Sequence, residues 1–206
     1  AWEHLANIPA GQYYAIGLDM RKPYRIYGGL QDNGSWGGPS RTRDPYIGNE
    51  HWDFLNGGDG FYCRVDPSDP AIVYCESQYG MPVRIDLRTG ARKGIRPKGE
   101  RLRWEWNTPF EIAPSDPKRI YIGANRLFES PDRGDTWKEV SRDLSRTAEG
   151  SITVIGLSPA DENVLWVGTN DGAVHVSRDR GQAWREAKIP GLAERSWITR
   201  VECGNE

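Results

Sequence analysis

The chain has 206 residues and a formal net charge of −2, with 24 Gly, 14 Pro, 9 Trp and 9 Tyr. That balance favours short strands and tight turns over helices, and the missing basic excess argues against a general nucleic-acid binder. There is no apolar run of the roughly 18 residues that a membrane helix needs, so membrane insertion is not expected.

Taken in order, Trp2-Glu3-His4-Leu5 resembles the segments Trp52–Leu55, Trp137–Val140 and Trp184–Ala187. It reads as the outer strand, d, of a preceding repeat, and not as a signal peptide. Then comes a recurring unit of inner strand a, a turn and strand b. Its first copy is Gln12–Leu18, Asp19–Pro23 and Tyr24–Gly29. The second is Phe61–Val65, Asp66–Pro70 and Ala71–Cys75; the third is Thr108–Ile112, Ala113–Pro117 and Arg119–Gly123. The fourth is Ile152–Leu157, Ser158–Glu162 and Val164–Gly168. Pro and Asp suit the turns, and the β-branched and aromatic runs suit buried strands.

A second hairpin follows each unit. The b–c turns include Gln31-Asp32-Asn33-Gly34 and Asn170-Asp171-Gly172, both strong short-turn signals. The c–d turns of the third and fourth repeats are Ser130–Trp137 and Ser177–Trp184, both of the form S-x-D-x-G-x-[T/A]-W and starting 47 residues apart. In each, Asp132 or Asp179 is suited to accept backbone N–H groups, Gly134 or Gly181 to supply a positive φ, and Trp137 or Trp184 to bury its indole against the adjoining repeat. Ser130 and Ser177 open the two boxes. The second repeat has a degenerate version, Asp86–Gly90, and the first a long loop from Gly37 to Glu50. Ile198–Val201 reads as the start of another strand a.

A period of 45 to 47 residues, with four strands per unit, is the pattern of a β-propeller. The expected boundaries are 1–10 for the preceding strand, 11–56, 57–104, 105–148 and 149–190 for four blades, and 191–206 for the start of the next. Unpaired strands at both ends imply a fragment of a larger ring, or a ring that other chains complete.

With the boxes in place, the chain resembles the Asp-box (BNR) repeat propellers. The run Arg21–Ser40, with Gly57-Gly58-Asp59-Gly60-Phe61 and Trp106-Asn107-Thr108-Pro109, is similar to bacterial sortilin-like proteins that are often called glycosyl hydrolases. The resemblance covers essentially the whole chain. It implies an exported propeller, extracellular or periplasmic, of roughly seven to ten blades. It fixes no activity.

In a propeller the b–c and d–a connections share one face and the a–b and c–d turns the other. The boxes therefore lie away from the expected ligand face and read as structural. The candidate binding residues are Gln31, Asp32, Asn33, Asp59, Trp104, Trp106 and Asn107, with Glu76, Gln78 and Tyr79 on the same face. Glycines around Asp59 would let a ligand approach closely, and Trp104 and Trp106 offer a stacking platform for a sugar or peptide; blade packing is the competing role. A glycosidase needs two carboxyl groups roughly 5–10 Å apart, for which Asp59 and Asp32 are the candidates. No nucleophile–base pattern or phosphate loop is present, and no cofactor is implied. The expected function is recognition of a protein, peptide or glycan ligand, or assembly with further blades; the alternative is a carbohydrate-active hydrolase. The three cysteines form no metal motif. Cys63 and Cys75 flank a turn symmetrically, which fits either a disulfide or two small buried side chains.

Overall fold

A computed structural model describes residues 11–204. They form four four-stranded antiparallel sheets, each a meander of consecutive strands, in a β-propeller arrangement. Blade one holds β1 (Tyr13–Leu18), β2 (Arg25–Leu30), β3 (Gly34–Pro39) and β4 (Asp53–Asn56). Blade two holds β5 (Gly60–Val65), β6 (Ile72–Ser77), β7 (Met81–Asp86) and β8 (Ala91–Gly94). Blade three holds β9 (Phe110–Ile112), β10 (Ile120–Gly123), β11 (Leu127–Ser130) and β12 (Lys138–Glu139). Blade four holds β13 (Ile152–Leu157), β14 (Leu165–Thr169), β15 (Val174–Ser177) and β16 (Arg185–Glu186).

A single meander of this size cannot enclose its own apolar side chains, so the core forms between blades. Tyr27 and Leu55 of blade one pack on Cys63, Val73, Cys75 and Ile85 of blade two. Ile72, Tyr74 and Ile95 meet Phe110, Ile120, Ile122 and Phe128 of blade three. Tyr121, Leu127 and Val140 meet Ile152, Ile155, Leu165 and Val167 of blade four.

The two S-x-D-x-G-x-[T/A]-W turns have the same internal bonding. Ser130 Oγ accepts the Gly134 amide at 2.7 Å and donates to Asp132 Oδ1 at 2.9 Å, and Asp132 Oδ1 accepts the Thr136 amide at 2.7 Å. Ser177, Gly181, Asp179 and Ala183 repeat the pattern at 2.8, 2.8 and 2.9 Å. Both glycines sit at φ +88°, where a side chain would be strained and would press on Ile95 or Val140 of the preceding blade. Trp137 and Trp184 then donate their indole N–H groups to the carbonyls of those same two residues, at 2.7 and 2.8 Å.

The structure corrects the sequence reading in two places. The segment expected to loop from Gly37 begins as strand, since β3 continues to Pro39 paired with Arg25. Glycine is used there because rings lie across the strand: a Cβ on Gly37 would stand 2.8 Å from the Tyr27 ring, and one on Gly38 would fall on the Trp52 ring. Ile198–Val201 forms no strand, having no ladder partner among the described residues. It still lies along blade four, where Ile198 N–H donates to Thr169 O at 3.1 Å and Thr153 Oγ1 donates to Ile198 O at 2.6 Å. Trp2–Leu5 lies outside the described residues. Cys63 and Cys75 are directly opposed thiols with 3.3 Å between sulfurs, buried against blade one.

Candidate functional site

The b–c and d–a connections are bonded to one another blade by blade. In blade one, Asn33 closes its own turn: its Nδ2 donates to Gln31 O at 2.9 Å, and its carbonyl accepts Trp36 Nε1 at 2.7 Å. Asp32, at φ +58°, leaves its exposed carboxylate facing solvent and offers its backbone N–H to Asp59 Oδ1 at 2.8 Å. Asp59 in turn donates its own N–H to Gln78 Oε1 of blade two at 2.9 Å. The d–a loop carrying Asp59 thus ties two b–c turns together, with Gly58 at φ +81° making the bend.

Asp59 and Asp32 are therefore neighbours, but not as a desolvated acid pair across a cleft. One oxygen of Asp59 is committed to capping the Asp32 amide. Both carboxylates lie close enough to the Tyr14 hydroxyl to help raise its pKa, after the larger effect of desolvation.

The two tryptophans of the next d–a loop have different surroundings. Trp104 stacks on Phe128 with centroids 6.3 Å apart, carries Arg96 over its ring at 4.9 Å, and lies against Gly80. It packs with the core between blades two and three. Trp106 is 36 % exposed and makes edge contacts with Phe61 at 4.7 Å and Tyr14 at 5.4 Å, while Tyr14 stacks on Phe61 at 4.8 Å. The carbonyl of Trp106 accepts the Tyr79 amide at 3.0 Å, placing a second exposed ring on the same rim. Asn107 is half-buried, and its side-chain oxygen has no partner.

One carboxylate on this face was not singled out from the sequence. Glu105 Oε2 accepts Ser151 Oγ at 2.9 Å and Asn170 Nδ2 at 3.0 Å, while Oε1 accepts the Trp106 amide at 3.0 Å. The acidic residue beside the two tryptophans was the available signal. Asp171 is spent on structure, accepting the amides of Arg146 and Thr147 and the hydroxyl of Thr169 at 2.6–2.8 Å. Away from this face, a groove of about 490 Å³ between blades two and three is lined by Arg84, Arg92, Lys93, Lys118 and Arg133, with Asp86, Asp132 and Asp135 among them.

No family model matches the chain. Among curated proteins it is 32 % identical over 89 residues to an oligoxyloglucan-reducing end-specific xyloglucanase of Emericella nidulans, covering 36 % of this chain and 11 % of that protein. It is 30 % identical over 112 residues to a probable oligoxyloglucan-reducing end-specific xyloglucanase of Neosartorya fischeri, covering 52 % of this chain and 12 % of that one. The match thus spans about a tenth of each relative's length. Among solved structures, an ancestral GH74 enzyme superposes with a TM-score of 0.64 at 14 % identity, over 88 % of this chain and 24 % of that one. The β-propeller domain of Cps50 (Swd1) from Myceliophteria thermophila gives 0.63 at 13 % identity, over 93 % and 59 %. These structural likenesses show the propeller fold.

Proposed function

We propose that this chain is the glycan-binding part of a larger, exported β-propeller, and that it holds its ligand on the b–c/d–a face by stacking a sugar ring on Trp106. The supporting observation is the position of Trp106, braced by Phe61 and Tyr14 yet with its remaining surface open to solvent. An aromatic ring fixed in this way stacks on the apolar face of a pyranose without first losing rotamer freedom. Asp59, Asp32 and Glu105 supply acceptors for sugar hydroxyls around it. The names of the two curated relatives point to a xyloglucan-type β-glucan as the ligand.

Further blades, from the same or another chain, are the partner we propose for the outward side of blade one. Ile16 and Leu18 of β1 and Met20 of the following turn are more than half exposed there.

The second reading, a glycoside hydrolase acting through Asp59 and Asp32, is favoured by what the relatives are called. It is disfavoured by the solvation of Asp32 and by the bond that occupies Asp59. Affinity electrophoresis in gels containing xyloglucan, mixed-linkage glucan or no polysaccharide tests the binding reading. Retardation by xyloglucan that Trp106→Ala removes supports it; unretarded wild-type protein, or equal retardation of the variant, rejects it.

A further inference from the structure

Glu76 breaks the repeat at a position where the other three blades have glycine. The ladders fix the equivalence: Tyr27 pairs with Gly17, Tyr74 with Arg64, Tyr121 with Glu111 and Trp166 with Gly156. Two residues beyond each of these aromatics stand Gly29, Glu76, Gly123 and Gly168. The glycines are needed because the next segment crosses directly over them. A Cβ on Gly29 would fall on the backbone of Gly60, one on Gly123 would stand 2.7 Å from Ile152 Cγ2, and one on Gly168 would meet Ile198. Blade two alone puts a carboxyl-bearing side chain into this contact, 1 % exposed.

The next blade is altered where that side chain enters. In blades one, two and four the innermost strand starts at equivalent residues, Tyr13, Gly60 and Ile152, and runs for six residues. In blade three it starts three positions later, at Phe110, and runs for three. The Thr108 amide donates instead to Glu76 Oε1 at 3.3 Å, and Thr108 Oγ1 donates to Glu105 O at 2.6 Å. The segment released from the ladder is the one that ends the Trp106 loop.

Glu76 also has no countercharge. No ion pair reaches it among the described residues, and its Oε2 has no hydrogen-bond partner. The groups facing it are Tyr62 and Cys63 from β5 and the amides of Tyr62, Gly80 and Thr108. The nearby Arg64 is engaged by Glu111 of blade three. Asn107 Oδ1, a second buried oxygen without a partner, also lies beside Tyr62. The three amides favour the anion, but they carry no full charge, and enclosing a carboxylate without a countercharge costs more than they return.

We propose that Glu76 is carried as a neutral carboxylic acid wedged between blades two and three, and that it is the positioning residue for the Glu105–Thr108 loop that presents Trp106. Desolvation pushes its carboxyl well above the ordinary range, in the same direction. The consequence for sugar binding rests on the reading of Trp106 given above; the protonation and the positioning do not.

The test uses the whole chain with Glu76→Gln, which keeps the shape without the charge, and Glu76→Gly, which restores the repeat pattern. At pH 7 the wild type shows a protonated-carboxyl infrared band that E76Q lacks. Its melting temperature falls relative to that of E76Q as pH rises above the unfolded carboxyl's ordinary value, about 4.3, because the unfolded carboxyl gives up its proton first. The Thr108 amide exchanges at least about tenfold faster in E76G and as in wild type in E76Q. A missing protonated band, or parallel pH profiles, overturns the neutral acid; unchanged Thr108 exchange in E76G overturns the positioning role. These readouts need no sugar, so a wild type that binds no glycan rejects the function proposed above and leaves this one to be decided.

Discussion

The indole N–H of Trp137 donates to the backbone carbonyl of Ile95, 2.7 Å away, fastening blade three to blade two; Trp184 does the same to Val140 one blade later. Both acceptors belong to buried residues at the end of the preceding blade. Trp137→Phe should keep most of the packing but strand the Ile95 carbonyl, at a cost of about 1–2 kcal/mol in urea unfolding. A change within error would show that water replaces the indole.

Glycines in matched turns give an internal comparison. Gly134 and Gly90 both have positive φ, but a Cβ on Gly134 meets Ile95 at 2.8 Å whereas one on Gly90 meets nothing within 4 Å. Gly90→Ala should lose about 1 kcal/mol from backbone strain alone, and Gly134→Ala roughly 2–4 kcal/mol because the collision adds to the strain. Equal losses in thermal denaturation would remove the contact with the preceding blade from the explanation.

Arg133, next to Gly134, reaches back to Asp66, a fully buried carboxylate that also accepts the Ser68 amide at 2.8 Å. Burial raises the Asp66 pKa, but the bonds from Ser68 and Arg133 outweigh it and leave the group below its usual value. Arg133→Met should therefore destabilise the fold by about 2–4 kcal/mol at pH 7, since it leaves that charge enclosed with less compensation. The penalty should shrink in acid, where Asp66 can take a proton. A penalty independent of pH in paired wild-type and variant melts would contradict this.

Acid stability should depend on Asp143. Burial raises its pKa, but bonds from Ser145, Asn125 and Arg103 hold it down at about 2. A depressed folded value means stability that is present above the unfolded value near 4 and lost as pH falls towards 2. The group is partly exposed, so its contribution is screened to about 1 kcal/mol. Asp143→Asn should lower stability at pH 6 and flatten the melting curve between about pH 4 and 2. An unchanged acid limb would assign the loss to other carboxylates.

The sequence exposed the repeat because its turns need particular residues: Asp and Ser to satisfy turn amides, Gly for positive φ and Trp to reach the adjoining blade. What it hid depends on chain path. Gly37, Gly38 and Pro39 carry loop composition yet form strand, the glycines making room for the Tyr27 and Trp52 rings. Trp104 and Trp106 are identical in type and two residues apart, but one enters an interface and the other a rim. Asp59 was legible as a residue among glycines; its bond to the Asp32 amide belongs to the turn geometry. Glu76 falls in register with Gly29, Gly123 and Gly168 in the sequence repeat, but that the next segment crosses over this position is visible only in the chain path.

The most direct test is to titrate the protein with xyloglucan oligosaccharides in a calorimeter and then analyse the recovered sugars by mass spectrometry. Binding should be saturable, abolished in Trp106→Ala and retained in part in Trp106→Phe, with the oligosaccharides recovered intact. Shortened oligosaccharides whose formation stops in Asp59→Asn would contradict this and identify a hydrolase instead.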